Sequence, residues 1–145
     1  MLVLDANILI RAVLGKRVRA LLAKYGERMV FVAPEVAFDE ARKSLPLVME
    51  RRKLRVEPFM AYFSSLANVI QTVEVEAYSG FETIARQRLE RRDENDWPIL
   101  AAALALRCPI WTEDTDFFGC GVATWTTDRV ELYLDDSASE DAVEQ

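Results

Sequence analysis

Carboxylate side chains follow or flank several apolar segments of this sequence. Asp5 ends the apolar run at residues 2–4, and Asp114 and Asp116 follow the run at residues 108–112. Three further acids flank or lie on segments with helical spacing, namely Glu40, Asp93 and Asp96. Crowded carboxylates raise one another's pKa values unless a cation joins them, and their oxygens suit Mg²⁺ or Mn²⁺. Since such ions hydrolyse phosphodiesters by activating water and stabilising the leaving oxygen, the pattern indicates nuclease chemistry.

Each acid also has an ordinary structural explanation when it is taken alone. Asp5 and Asp96 stand before predicted helices, where aspartate is a common N-cap, and Asp114 and Asp116 fit a turn. Glu40 could belong to a solvated helix face, which is the usual place for mixed charges. These alternatives stay open for the single residues, whereas the grouping of all of them favours a shared site.

Apolar periodicity predicts the elements that would position these acids. Short apolar runs predict strands at about residues 2–4, 29–33, 108–112 and 122–126, with a further short extended piece within 69–75. Helical spacing fills the intervals, and one helix should bend or end at Pro46. Strands joined by helical crossovers form a mainly parallel sheet that is covered on both faces. We therefore predict an α/β fold, a three-layer α/β/α sandwich, in which the acids meet at the carboxyl edge of the sheet.

Composition limits both the fold and the chemistry. The 145 residues suit one domain, and 51% are hydrophobic while 29% are charged, as is typical of a globular protein. The chain has no histidine and two cysteines without CxxC spacing, which excludes a His-based triad and a zinc site. Many of the acids behind the net charge of −6 lie at 135–145, where few residues are apolar. We therefore expect a domain at residues 1–134 and an acidic, flexible tail at 135–145.

Four motifs in order make the chain resemble a known family. They are VLDANIL at residues 3–9, Glu40 on the helix after the second strand, RDENDWPILAAALAL at 92–106 and IWTEDTDF at 110–117. In this combination the chain resembles the PIN domain, the small Mg²⁺-dependent ribonuclease fold of VapC-type toxins, over residues 1–134. The resemblance implies an RNA substrate, a bound Mg²⁺ or Mn²⁺ ion and a cognate antitoxin protein.

The resemblance also assigns roles to individual residues. The active-site acids would be Asp5, Glu40, Asp96 and Asp114. The metal ligands would be Asp5, Asp96, Asp114 and Asp116, with Asp93 nearby. Asn7 and Thr112 would orient the first and the last of the active-site acids.

RNA needs basic residues outside this acidic group. Arg91 and Arg92 lead directly into the corner at residues 93–96 and are our preferred candidates for phosphate contacts. A second basic group lies at residues 51–55, and a solvated helix face is the simpler explanation for either group. The aromatic side chains at residues 59–63, if exposed, would suit a second copy of the chain or an antitoxin, and we expect a homodimer.

Together these observations predict a Mg²⁺-dependent endoribonuclease, the toxin of a type II toxin–antitoxin pair. An aspartyl phosphotransferase or a phospho-receiver module fits less well, because both need a late lysine and none follows Lys53. The phosphotransferase also needs an aspartate at the position of Asn7. A catalytically inactive PIN-fold module that binds RNA or protein stays the alternative. The longest apolar stretch, at residues 99–106, is too short to span a bilayer, so we expect a cytoplasmic protein without a membrane partner.

Overall fold

A parallel sheet forms the centre of the fold. The computed structural model describes the backbone of residues 1–144 and the side chains through residue 137. The strands are β1 (Leu2–Leu4), β2 (Phe31–Pro34), β3 (Ile70–Val73), β4 (Ile110–Trp111) and β5 (Thr124–Trp125). They lie in the order β3, β2, β1, β4, β5, and neighbouring strands are parallel. The central strands β1, β2 and β4 are buried apolar runs, as expected where helices cover both faces of a sheet.

Helices cover the two faces of the sheet in two groups. The first group is α1 (Ala6–Leu14), α2 (Arg17–Tyr25), α3 (Glu35–Arg51) and α4 (Val56–Ser65). The second group is α5 (Val75–Tyr78), α6 (Glu82–Arg88) and α7 (Trp97–Leu106). The chain runs from β1 through β2 to β3 in one direction and then returns to β4 and β5, so right-handed crossovers put the groups on opposite faces. Because α1 packs on α2, α3 and α4 while α7 packs on α5 and α6, the predicted three-layer sandwich is confirmed.

Helix α7 is the element that brings the acidic corner to the sheet. It packs on β1, β2 and β4, and its residues from Pro98 to Ala103 are buried. Fully burying a leucine such as Leu100 contributes roughly 1.5–3 kcal/mol, so the apolar surface of the helix anchors it firmly. The first turn of α7 therefore has a fixed place at the carboxyl edge of the sheet.

Two elements differ from the sequence-based prediction in extent. The short extended piece predicted within residues 69–75 is the full edge strand β3, which pairs along β2. Helix α3 continues through Pro46 to Arg51, so it does not end at the proline. Leu45 and Met49 on either side are fully buried, and this burial offsets the backbone hydrogen bond that proline removes.

The last helix, α8 (Val130–Glu144), contains most of the acidic C-terminal segment. Its first turns are tied to α2, because the single hydrogen of the Tyr25 hydroxyl is shared between the carboxylates of Glu131 and Asp135. Residues 135–144 continue this helix, and the flexibility of the segment and the domain boundary at 134 stay predictions; Gln145 lies outside the described residues. None of the helices within residues 1–144 is both long and apolar enough to cross a bilayer.

Candidate active site

The candidate site lies where the direction of the chain through the sheet reverses. Strands β1 and β4 are neighbours, and the crossovers after β1 and before β4 lie on opposite faces. Such a switch point opens a crevice at the carboxyl ends of the strands, which is the usual ligand site of an open parallel sheet. Asp5 directly follows β1, and Asp114 follows β4 after a short turn.

Asp5 is buried and held by three hydrogen bonds. Its Oδ1 accepts from the backbone N–H of Ala6 at 2.7 Å, so it caps α1. Its Oδ2 accepts from the Thr112 hydroxyl at 2.8 Å and from the Asn7 amide at 3.1 Å. Asp5 can therefore cap α1 through Oδ1 and still take part in the site through Oδ2.

Thr112 and Asn7 connect this carboxylate to the segment after β4. The Thr112 hydroxyl accepts from the backbone N–H of Asp114 at 2.9 Å while it donates to Asp5. The Asn7 carbonyl oxygen accepts from the backbone N–H of Glu113 at 3.2 Å. We refer to Asp5, Asn7 and Thr112 as the inner network, and it joins the ends of β1 and β4 through side chains.

Three half-buried acids form a second group nearer the surface. Asp96, Asp114 and Asp116 each offer one carboxylate oxygen, and these oxygens all lie within 4.8 Å of one another. The Asp114 Oδ1 accepts from the backbone N–H of Asp116 at 2.9 Å and thereby begins the 3₁₀ turn Thr115–Phe117. We refer to the three acids as the outer cluster. Oxygen donors at this spacing fit a hard divalent ion, which binds carboxylates at about 2.0–2.6 Å.

The Asp96 carboxylate is available to the outer cluster because the nearby Asp93, and not Asp96, caps the local turn. Asp93, in the preceding turn, accepts from the backbone N–H of Asn95 at 3.0 Å and caps the 3₁₀ turn Glu94–Asp96. Asp96 stands at the N-cap position of α7 but makes no side-chain capping bond. Of the two acids predicted for this corner, Asp96 therefore belongs to the cluster and Asp93 lies beside it.

Burial and mutual repulsion disfavour the charged forms of two of these acids. Burial raises the pKa of Asp5 to about 6, and the negative charges of Glu40 and Asp114 contribute in the same direction against its hydrogen bonds. Burial raises the pKa of Asp96 to about 7, with further contributions from the charges of Asp5 and Asp93. A cation at the outer cluster would relieve this repulsion. Glu40 is exposed on α3, and its charge acts on both the inner and the outer acids.

A groove of about 310 Å³ opens beside the outer cluster between α3 and α7. Its lining includes Glu40 and Asp96 together with Tyr78 and Trp97. The Tyr78 hydroxyl donates to Glu35 at 2.8 Å, and the other Glu35 oxygen is buried without a hydrogen-bond partner among the described residues. Sequence reasoning missed Glu35 and Tyr78. Glu35 follows the end of β2 just as Asp5 follows β1, so the same rule could have found it, whereas Tyr78 has no local signal.

The two arginines predicted to contact RNA lie in different environments. Arg91 is exposed, and its side chain has no hydrogen bond or ion pair to another described residue. The Nη1 of Arg92 instead donates to backbone carbonyls of the segment that carries Asp116, namely those of Thr115, Asp116 and Phe118. The guanidinium of Arg92 therefore faces the protein.

Solved structures with the same fold include proteins named VapBC2, FitAB and FitAcB. VapBC2 from Rickettsia felis, bound to a promoter DNA fragment, has a TM-score of 0.68 at 14% identity, covering 86% of this chain and 97% of that chain. FitAB bound to the IR36 DNA fragment has a TM-score of 0.55 at 21% identity, covering 88% and 95%. FitAcB from Neisseria gonorrhoeae has a TM-score of 0.50 at 22% identity, covering 88% and 98%. At these identities the similarity demonstrates the fold alone.

The family of the chain is shown by its sequence and not by the structural similarity. No functionally curated protein matches the chain. The family model described as "PIN domain", however, matches residues 3–135, and this range includes every acid of the inner network and the outer cluster. The resemblance based on the motifs is thereby confirmed, and the chain belongs to the PIN domain family.

Proposed function

We propose that this chain is a Mg²⁺-dependent endoribonuclease and the toxin of a type II toxin–antitoxin pair. The observation that supports it best is the convergence of the three outer-cluster carboxylates within 4.8 Å, close enough to the buried Asp5 for its charge to act on Asp96. PIN domains are generally nucleases that use divalent metals, and the donor set of this chain fits such an ion. The specific ion, Mg²⁺ or Mn²⁺, and RNA as the substrate are part of the proposal.

The outer cluster would hold the metal, with Asp5 behind it. When bound, the ion would polarise the scissile phosphodiester and lower the pKa of a bound water. Thr112 and Asn7 keep the Asp5 carboxylate in one orientation, since both donate to its Oδ2. The Asp114 oxygen that does not accept from Asp116 is free of that turn-forming bond, which leaves it available to a cation.

Glu40 would act from the opposite wall of the groove. It lies on α3 and lines the groove together with Asp96. Its exposed carboxylate is accessible to a water molecule in the groove, whereas Asp5 is buried. We therefore assign proton transfer to Glu40, and orientation of the cation to Asp5 and the outer cluster.

The proposal is tested by cleavage of single-stranded RNA with purified protein. We expect cleavage that requires Mg²⁺ or Mn²⁺, is stopped by EDTA and is lost in Asp114→Asn. Asp39→Asn is the matched control, because Asp39 is an exposed acid on α3 that pairs with Arg42 outside the site. If the wild-type protein binds RNA without cleaving it under any of these metal conditions, the inactive binding module would replace this proposal.

An antitoxin partner is the second part of the proposal. The structural neighbours are named as VapBC and FitAB complexes with DNA. A second groove of about 470 Å³ runs along α1 and α3, and its lining alternates apolar and basic residues, including Ile10, Arg11, Leu14, Val48 and Arg52. Such a surface suits an amphipathic peptide. Purification with the product of an adjacent reading frame, followed by an inhibition assay, tests this part.

The homodimer and the cytoplasmic location stay predictions. The aromatic side chains expected to form an interface are largely packed inward, since Phe63 is buried and Phe59 and Tyr62 are half-buried against the core. Light scattering of the chain after size-exclusion chromatography measures its oligomeric state directly.

A further inference from the structure

Arg92 makes an unusual concentration of hydrogen bonds for an exposed side chain. Its Nη1 lies 3.2 Å from the carbonyl oxygen of Thr115, 2.7 Å from that of Asp116 and 2.6 Å from that of Phe118. This nitrogen carries two hydrogens, so the three carbonyls share them. Bonds from a charged donor are stronger than neutral ones, and here they converge on a single turn of backbone.

The segment that Arg92 binds also has turn hydrogen bonds of its own, since the backbone N–H groups of Phe118 and Cys120 donate to the carbonyl oxygens of Thr115 and Phe117. Phe117 is buried, but Phe118 is exposed and Gly119 adopts a left-handed conformation at φ 84°. One further arginine supports it from the same side, since Arg88 donates to the carbonyl oxygen of Cys120 at 3.2 Å. Beside these local bonds and the buried Phe117, Arg88 and Arg92 tie the backbone of the segment to the part of the chain that precedes Asp93.

Arg92 also stands at the start of the other acidic loop. It directly precedes Asp93, which opens the corner that ends in Asp96. Its guanidinium thus connects the loop that carries Asp96 to the turn that carries Asp114 and Asp116.

We propose that Arg92 is a positioning residue of the metal site, which sets the distance between Asp96 and the other two acids of the outer cluster. The inference rests on the proposed function, because it takes the outer cluster as the place where the metal binds. It replaces our sequence-based expectation of a phosphate contact at Arg92 and leaves Arg91 as the candidate for that role. Residues that orient metal ligands typically affect metal affinity by about 10- to 100-fold when they are removed.

The test is a titration of the RNA-free protein with Mn²⁺, in which electron paramagnetic resonance measures the concentration of free Mn²⁺ at each step. We expect Arg92→Ala to weaken Mn²⁺ binding by about 10-fold or more. Arg91→Ala is the matched control, since it removes the neighbouring positive charge without touching the turn, and its affinity should stay within about twofold of wild type. Cleavage by Arg92→Ala should recover at high Mn²⁺ with an unchanged KM for RNA, which a fold defect or a phosphate contact would not produce.

A thermal melt in EDTA checks that Arg92→Ala folds. If it does not fold, Arg92→Lys serves instead, because it keeps the charge but loses the planar guanidinium, and its Mn²⁺ affinity should fall by a smaller factor. Unchanged Mn²⁺ affinity in the folded variant, with a raised KM and a flatter salt dependence of RNA binding, would overturn the inference in favour of a phosphate contact.

Failure of the inference can be told apart from failure of the proposed function. If Asp114→Asn loses Mn²⁺ binding while Arg92→Ala keeps it, only the role of Arg92 is refuted. If Asp114→Asn binds Mn²⁺ as well as wild type does, the metal lies elsewhere and both proposals are refuted.

Discussion

The inner network and the outer cluster are held in place by different means. The Asp5 carboxylate sits at the end of a buried strand and is bound by the first turn of α1 and by Thr112. The acids of the outer cluster lie on two loops, and the contact that links those loops is the guanidinium of Arg92. The inner network depends on the packing of the sheet, whereas the outer cluster combines the N-terminus of α7, the turn after β4 and one surface cation.

This difference separates two properties that an active site needs. Burial gives Asp5 a fixed position and raises its pKa, at a cost in stability when the carboxylate is charged. Loops give Asp96 and its neighbours access to solvent and substrate, at a cost in rigidity. Substitutions in the two parts should therefore affect stability and activity in different proportions.

The largest expected effect is on cleavage, and here the two parts should behave alike. Asp5→Asn and Asp96→Asn should each reduce cleavage by on the order of 10³-fold, since losing a carboxylate near the cation removes several kcal/mol of transition-state stabilisation.

The stabilities of the Asp5→Asn and Asp96→Asn variants should differ. Asp96→Asn should leave the melting temperature in EDTA unchanged or raised, because it removes repulsion and breaks no side-chain bond. Asp5→Asn should lower stability by roughly 1 kcal/mol, because an amide cannot accept all three of the bonds that Asp5 accepts. Equal melting temperatures in the two variants would contradict the comparison.

The next effect concerns the hydroxyl that holds the inner network together. Thr112→Val should lower the free energy of unfolding by about 1–3 kcal/mol, because the carboxylate of Asp5 and the backbone N–H of Asp114 both lose a partner. Thr112→Ser keeps the hydroxyl and should cost less. Urea denaturation of both variants measures the difference, and equal losses in the two would show that the methyl group matters more than the hydroxyl.

The third effect is a pH dependence of stability in the metal-free protein. The pKa of Asp5 is raised to about 6 and that of Asp96 to about 7, so the folded chain keeps protons that the unfolded chain has already released above about pH 4. Stability should therefore fall as the pH rises from about 4 to 7, by roughly 3 kcal/mol or more once partial solvent exposure is allowed for, since each unit of raised pKa corresponds to about 1.4 kcal/mol. Chemical denaturation across this range measures the fall, which should shrink in Asp96→Asn. Mg²⁺ should offset the fall increasingly as the pH rises, because it binds the deprotonated acids.

The smallest effect on metal binding should come from Glu40, whose charge reaches both parts and whose proposed proton transfer belongs to the cleavage step. Glu40→Gln removes a like charge from the surroundings of Asp5 and Asp96, so their pKa values should decrease. The midpoint of Mn²⁺ binding against pH should shift downwards accordingly. Asp39→Asn, next to Glu40 but paired with Arg42, should leave the midpoint in place, and an equal shift in both variants would indicate a general surface-charge effect.

Much of the fold could be predicted because its strongest signals are local. The run at β1 followed by Asp5, the apolar helix α7 and the run at β4 followed by Asp114 each occupy a few neighbouring residues. Edge strand β3 is weaker in the sequence, since Gln71 and Thr72 are exposed and an edge strand needs less apolar surface. The continuation of α3 through Pro46 was not predictable either, because it depends on the burial of Leu45 against other elements.

Residue types and their spacing were enough to identify the candidate acids and to predict that they share one edge of the sheet. Parallel strands and right-handed crossovers leave little choice once the strand and helix order is known. The division of the acids into a buried and an accessible group, in which Asp93 caps a turn while Asp96 does not, emerges from the folded chain. The same holds for Arg92, which binds backbone carbonyls while Arg91 stays exposed. The reason is physical: residue type and spacing specify periodic local structure, whereas the direction of a side chain on a loop depends on partners distant in the sequence.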